Sequence, residues 1–443
     1  MISLLQAAFG YTLLNQTTGD VVRNLDARTA GMGGASVAGG TTVLDAVSNP
    51  ASIAFLPGTL NVEATALVMH HTDDRALPMY NFFDGYVGDA TYATNTNFFD
   101  DYALALRYGY NLQGWKLAVA LSHRPVVSFA GEYQEQVRND ANSNYEEYPP
   151  IIAKNFITNT GRLSAAGMQL AFGWQDAVSV GLGVDYIYGD ATNTARIIWT
   201  DAAYDLAPSS ANLQNYAHKI EREFDAAYGI HAGAQWRINE RITVGASYAL
   251  KTEFDATVGG YINDIQLDTL ATASPLISDL SDYVIPSEIR MGVRYEPRNI
   301  MRTYFNADMR YIAWSEVSEL YDDAVSYNFG VEHQFRNKLP LRLGFMYQTA
   351  YITDEDDGVR YAQEITTPGF SVGSGFVLLD AITVDIAAQL NYRTYKALDL
   401  FMDSYYNQPG LWNEIEPEDR GWDKPDTVNE TTVGLTTSIS YKW

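Results

Sequence analysis

The chain reads as an all-β protein: a transmembrane antiparallel β-barrel of about 14 strands, of the outer-membrane kind. Three observations predict it. Strand-like segments are joined by connections that alternate short and long. Within the segments apolar and polar residues alternate with period two, giving one face for lipid and one for water. No apolar run approaches the roughly 18 residues of a membrane helix, so a membrane protein of this composition has to be a barrel.

Met1 to Gly10, MISLLQAAFG, resembles the apolar end of a secretory signal but lacks the basic region before it. It reads as a signal remnant, with either a truncated start or a misassigned Met. Residues 1–58 are expected to form an N-terminal segment and hatch, and residues 59–443 the barrel. Asn24 to Gly58 is dense in Gly, Ala and Ser, which suits backbone packed closely inside something else.

The tight connections are Asn111-Leu112-Gln113-Gly114, Gln175-Asp176, Asn239-Glu240, Glu296-Pro297-Arg298-Asn299, Arg336-Asn337-Lys338 and Leu379-Asp380, all suited to hairpin turns. Long polar stretches near 71–100, 130–160, 198–220, 258–285, 353–365 and 397–428 are expected to be external loops. Alternation is clearest where Ile382, Val384, Ile386, Ala388, Leu390 and Tyr392 interleave with Thr383, Asp385, Ala387, Gln389, Asn391 and Arg393. It recurs through Ile242 to Lys251 and Tyr304 to Tyr311. Pro125 interrupts the strand Trp115 to Phe129 and removes a ladder hydrogen bond. In the last strand, Thr432 to Trp443, the residues Val433, Leu435, Thr437, Ile439, Tyr441 and Trp443 share one face.

With 29 basic against 54 acidic residues the net charge is −25, which disfavours nucleic acid. Most of the acid lies in the long stretches, where solvation explains it better than divalent-cation binding. There is no cysteine, hence no disulfide framework and no lipoprotein acylation site. Aromatic residues make up 13%, with 31 Tyr, fitting interfacial girdles, although Tyr is also a good strand former. None of the six histidines lies in a nucleophile motif. His70-His71 before Asp73-Asp74 could suggest a metal, but adjacent residues on a strand point to opposite faces. Neither a metal, a cofactor nor enzymatic activity is expected. Gly31 to Ser36 is no dinucleotide loop, because no strand precedes it.

The Gly31-Met32-Gly33-Gly34-Ala35 cluster, its spacing to Asp45, and Asn49-Pro50-Ala51 followed at once by a strand resemble the hatch of the FadL/TodX family of hydrophobe transporters. Ile285 to Val293, Ala313-Trp314-Ser315, Leu341 to Tyr347 and Pro368 to Gly373 resemble further family motifs in the same order. The resemblance implies a barrel whose hatch, carrying Gly31, Gly33, Gly34, Asn49, Pro50 and Ala51, plugs the lumen. It implies passive passage of long-chain fatty acids or aromatic hydrocarbons across the outer membrane of a Gram-negative-type bacterium. The partners implied are outer-membrane lipid, a hydrophobic small molecule and the barrel assembly machinery, whose signal Ile439, Tyr441 and Trp443 resemble. A family-type kink at Pro125 in the third strand would open a lateral window near His123 to Val126, unless Pro125 lies above the membrane. Some similar barrels, the PorV-like members, instead hold or shuttle secreted proteins, so a secreted or secretion-system protein is the alternative partner.

Alternation places Arg107, Lys116, Arg162, Lys251, Arg290, Arg294, Arg302, Arg310, Arg342 and Arg393 on the inner side, with fewer acids: Asp185, Asp225, Glu296, Asp308, Glu332 and Asp385. Arg290, Arg294, Arg302, Arg310, Arg342 and Arg393 are candidates for holding a carboxylate head group through charge-assisted hydrogen bonds. The other reading pairs them with lumen acids and hatch carbonyls.

Overall fold

The computed structural model describes residues 15, 18–83, 85–139, 149–209, 213, 216–263, 265–266, 282–298, 302–319, 321–335, 339–351, 365–378, 381–397, 400–401, 406, 411 and 426–443. The expected signal remnant, the turns at 336–338 and 379–380, and most of the stretches 353–365 and 397–428 lie outside them.

Among the described residues, fourteen antiparallel strands close into one barrel. They are β1 (Leu60–Tyr80), β2 (Tyr86–Leu112), β3 (Trp115–Ser128, continued by Gly131–Arg138), β4 (Ile151–Trp174), β5 (Val178–Trp199), β6 (Tyr216–Arg237), β7 (Ile242–Ala249, continued by Thr252–Ile262), β8 (Asp282–Ile285, continued by Glu288–Tyr295), β9 (Thr303–Ile312), β10 (Ala324–Gln334), β11 (Pro340–Thr349), β12 (Thr366–Leu378), β13 (Ile382–Ala397) and β14 (Asp426–Lys442). β14 pairs back onto β1 from Thr427↔Ala76 to Lys442↔Asn61, which closes the ring and leaves no open edge at the seam. Beyond it, Thr59 and Leu60 donate to the Trp443 carbonyl.

The period of two sets the faces. On β4, Met168, Leu170, Phe172 and Trp174 are exposed on the lipid side while Gly167, Gln169 and Ala171 are turned inward and buried. Trp115 lies beside Trp174, ring centroids 6.0 Å apart, at the short-turn end. Tyr186 and Tyr228, 5.6 Å apart, lie further up the same face. Tyr186 pairs with Ala166, eight residues from Trp174 along β4, close to the length a tilted barrel strand needs to cross a bilayer. No helix among the described residues is long and apolar enough to cross a membrane.

The short turns follow local chemistry. Gln175 and Asp176 both adopt left-handed backbone, φ 49° and 54°, the geometry of a type I′ hairpin. Asn239 accepts from the amides of Arg241 and Ile242 at 2.8 and 3.0 Å.

One expectation fails at the other end. The stretch 71–100 is mostly ladder, since β1 runs to Tyr80 and β2 starts at Tyr86. Cross-strand polar bonds hold it, Thr94 to Asp74 at 2.6 Å and Asn95 to Asp73 at 3.2 Å. A strand paired above the bilayer needs no apolar face, so its sequence looks like loop. The stretch 198–220 likewise contains a short helix, α1 (Asp201–Leu206).

Replacing Leu170 by Arg should destabilise the barrel by about 2–4 kcal/mol in urea unfolding from lipid, as expected near the bilayer midplane. The same change at exposed Glu221, high on β6, should cost close to nothing. Equal effects at the two sites would place the Leu170 row in water.

Candidate functional site

The N-terminal segment is shaped by three polar residues. Asp26 caps a one-turn helix (Ala27–Gly31) by accepting from the Thr29 amide at 2.9 Å. Asp45 gathers the Thr41 and Thr42 amides and the Thr29 hydroxyl at 2.7 to 2.9 Å. Asn49 caps the 3₁₀ turn Pro50–Phe55, with Pro50 at a position that needs no donor. Burial first, and the nearby Asp45 second, push the Asp26 carboxyl from 3.8 up to about 7, so it can sit neutral beside another acid.

This segment meets inward side chains all round the ring. Glu63 on β1 accepts the Val43 and Leu44 amides, and Arg107 on β2 donates to the carbonyls of Ile53 and Gly58. Gln235 on β6 donates to Ala38, Ser247 on β7 to Ser48, and Asn328 on β10 to Gly33. Asp308 on β9 takes the Ser36 and Val37 amides at 2.6 and 2.8 Å. Ser438 on β14 takes the Ala27 amide at 2.8 Å. A single short segment can touch opposite sides of a closed ring only from inside it.

Glycine makes the contact close enough. Gly33 has φ +67°, and a Cβ there would lie 2.8 Å from the Phe345 backbone nitrogen. A Cβ on Gly31 would lie 3.1 Å from the Gly373 Cα, and one on Gly344 would overlap the Gly33 nitrogen. Pro50 and Ala51 rest on Gly181 in the same way, while Asn49 donates to the Val37 and Ala234 carbonyls. Gly34, φ +86°, packs on Asn24.

At Pro125 the wall changes. The β2–β3 ladder ends at Leu104↔His123, and Arg124 to Ser128 turn inward and are buried. On the other side the β3–β4 ladder carries on through Pro125↔Ser164, with a bulge before Val127↔Leu163. The freed edge of β3 is taken up from inside: Asp20 and Val21 pair with Ser128 and Val127, and the Val22 amide donates to Val126 at 2.9 Å.

A model of the outer membrane protein transport protein family (OMPP1/FadL/TodX) matches residues 16–398. The chain belongs to that family. Its fold is similar to that of a Pseudomonas aeruginosa FadL homologue (TM-score 0.62, 14% identity, 96% of this chain and 99% of that one). It is similar as well to the P. putida toluene transporter TodX (TM-score 0.56, 14% identity, 94% and 97%) and the Ralstonia pickettii toluene transporter TbuX (TM-score 0.51, 13% identity, 95% and 99%). No curated protein matches the chain. At such identities the solved structures speak for the fold alone. The family is one of outer-membrane hydrophobe transporters, so the chain is a transport protein and no enzyme.

Most inner arginines of this FadL/TodX-type barrel are already committed. Arg290 grips Glu288 at 2.7 Å and donates to the Val47 carbonyl, and Arg310 reaches the same Glu288 at 2.6 Å. Arg342 bridges Glu332 at 2.7 Å and Asp385 at 2.6 Å, while Arg28 of the segment shares Glu332. Arg393 pairs with Glu430, and Arg124 with Asp185 at 2.7 Å. Arg294 is different: its guanidinium lies 4.4 Å over the Tyr304 ring and 3.9 Å from Glu296.

Three cations expected inside are elsewhere. Arg302 is exposed, with φ +47°, one residue before β9, so it belongs to the turn and cannot hold a lumen head group. Arg162 shares the outward register of Met168 and Phe172. Lys251 sits exposed at the break in β7. Asp225 is also exposed, because two residues of β6 oppose one of β5 where the register shifts after Ile187.

Sequence reasoning missed an apolar cluster, with a small chamber beside it, above the seated segment. Phe129, Phe224, Phe254 and Tyr283 pack there with Val127, Leu163 and Ile220. Phe224 and Tyr283 are 5.4 Å apart, Phe129 and Phe224 5.7 Å. The chamber is a cavity of about 130 Å³ lined by Val126, Ile187 and Ile285 together with the Arg124–Asp185 and Glu288–Arg290–Arg310 groups. The signal was aromatic residues at inward positions of strands already above the membrane band.

Glu332→Gln should destabilise the fold by about 3–5 kcal/mol in urea, because two buried guanidinium groups lose one carboxylate. Gly344→Leu should displace the seated segment while the barrel still forms. Planar-bilayer conductance should then rise well above the wild-type level, and an unchanged conductance would mean that Gly33 does not seal against β11.

Proposed function

We propose that this barrel, in the outer membrane of a Gram-negative-type bacterium, passes small uncharged hydrophobes such as aromatic hydrocarbons by passive binding and diffusion. The supporting observation is an aromatic cluster beside a cavity whose arginines are already engaged by acids. Around the cavity Arg124 faces Asp185, and Arg290 and Arg310 share Glu288. A carboxylate ligand would have to compete with Asp185 and Glu288 for guanidinium groups that they already hold. An uncharged ring needs only the apolar lining of Val126, Ile187 and Ile285, backed by the cluster of Phe129, Phe224, Phe254 and Tyr283.

The hatch role of residues 18–58 fits this route, since a seated segment blocks water while apolar molecules collect above it. The exit that best fits is sideways, through the unpaired stretch between β2 and β3 beyond His123, because Arg124 and Val126, which line the chamber, lie on that inward bend.

Binding of a labelled alkylbenzene to the detergent-purified barrel tests the reading. Saturable binding should weaken about tenfold or more in Phe224→Ala, the loss of one buried ring. Arg294→Gln should leave it unchanged. Tight long-chain fatty acid binding that Arg294→Gln abolishes would replace the uncharged ligand with an anionic one. A co-purifying protein chain with no hydrophobe binding would favour the secretion-type role.

A further inference from the structure

The inward bend of β3 leaves a dent in the outer wall, and one ion pair crosses it. Arg162 on β4 donates from Nη1 to Asp101 on β2 at 3.0 Å. These strands are not neighbours; β3 lies between them in the sheet. Adjacent strands stand about 4.8 Å apart, so two strand spacings separate β2 from β4. A side chain can span that interval over the outside only where the middle strand has withdrawn, as β3 does from Arg124 to Ser128.

The two partners start from opposite faces. Asp101 keeps the inward register of Ala103 and Arg107, whereas Arg162 keeps the lipid-side register of Met168 and Leu170. The guanidinium therefore passes from the membrane face towards a lumen-facing carboxylate, across the stretch where the β2–β3 ladder is absent. Aromatic groups line the same place. The Arg162 guanidinium lies 5.6 Å from the Tyr102 ring, Tyr102 stacks on His123 at 5.8 Å, and His123 Nε2 is 3.1 Å from the Tyr188 hydroxyl. On the inner side the dent is closed by Asp20 to Val22, paired along the β3 edge.

We propose that the Asp101–Arg162 pair is the outer latch of the lateral exit, and that a hydrophobe leaves the chamber for the membrane by passing where this pair has parted. The proposal rests on the transport reading above. Its geometry suits a latch. Asp101 is 8% exposed and Arg162 44%, so the carboxylate is buried in the wall while the guanidinium reaches out of it, and a swing of the Arg162 side chain alone parts them. When it parts, Arg162 can remain over the Tyr102 face and reach interfacial water, as long basic side chains do at membrane borders. The inner closure by residues 20–22 would then govern whether the chamber is filled, and the latch whether it empties sideways.

The chain has no cysteine, so Asp101→Cys with Arg162→Cys supplies a unique pair for a short, reducible bis-maleimide. Release of a labelled alkylbenzene from the barrel into surrounding lipid is then followed in proteoliposomes. Cross-linking should slow release about tenfold or more while leaving equilibrium binding unchanged, and reduction of the linker should restore it. Arg162→Asp should speed release, and adding Asp101→Arg should return it to the wild-type rate. Release at the wild-type rate from the cross-linked barrel overturns the latch. A wild-type barrel that neither binds nor releases the probe overturns the transport reading itself, and with it the latch.

Discussion

A chain lodged inside a closed wall has given up its water, and every amide and inward charge it meets must find a partner there. That constraint organises the molecule. It explains why Asp308 holds two segment amides, why Glu63 holds two more, and why Asn328 and Gln235 donate to segment carbonyls. It explains as well why the inner arginines come with acids, since Glu288 serves two of them and Glu332 another two. Polar matching seats the segment, and glycine on both sides allows the approach.

The same demand shapes the bend at Pro125. A strand that leaves its neighbour exposes a row of unpaired backbone groups. In the third strand that row is paired from inside by Asp20 to Val22, so the bend and the segment's first residues depend on one another. The apolar chamber sits where they meet, with Val126 and Val127 contributed by the bend and Val21 by the segment. Movement of the segment's start thus changes both the chamber and the wall beside it.

Much of this was legible in the sequence, for identifiable reasons. Gly31, Gly33 and Gly34 announced close packing and Gln175-Asp176 announced a hairpin, because each is a local rule acting within a few residues. The lipid-facing row of Val433, Leu435, Ile439 and Tyr441 was legible because the bilayer enforces alternation. The membrane exerts no such demand above its surface, so β1 and β2 beyond about residue 71 looked like loop. Face assignment failed where a bulge breaks the period, as at Asp225, or where a residue precedes its strand, as at Arg302. The apparent surplus of inner arginine dissolved for a different reason. Acids such as Glu288 and Glu430 were left out of the inner set, and arginines outside the lumen, such as Arg162, were counted in.

The central claim is that a small uncharged hydrophobe rests against the aromatic cluster beside the chamber and not on the ion pairs that line it. Photolabelling of the lipid-embedded barrel with an alkylbenzene diazirine, read by mass spectrometry, tests it most directly. Adducts at Phe129, Phe224, Phe254 or Tyr283, competed away by unlabelled alkylbenzene, are expected. Competed adducts confined to Glu288, Arg290 and Arg310 would contradict it.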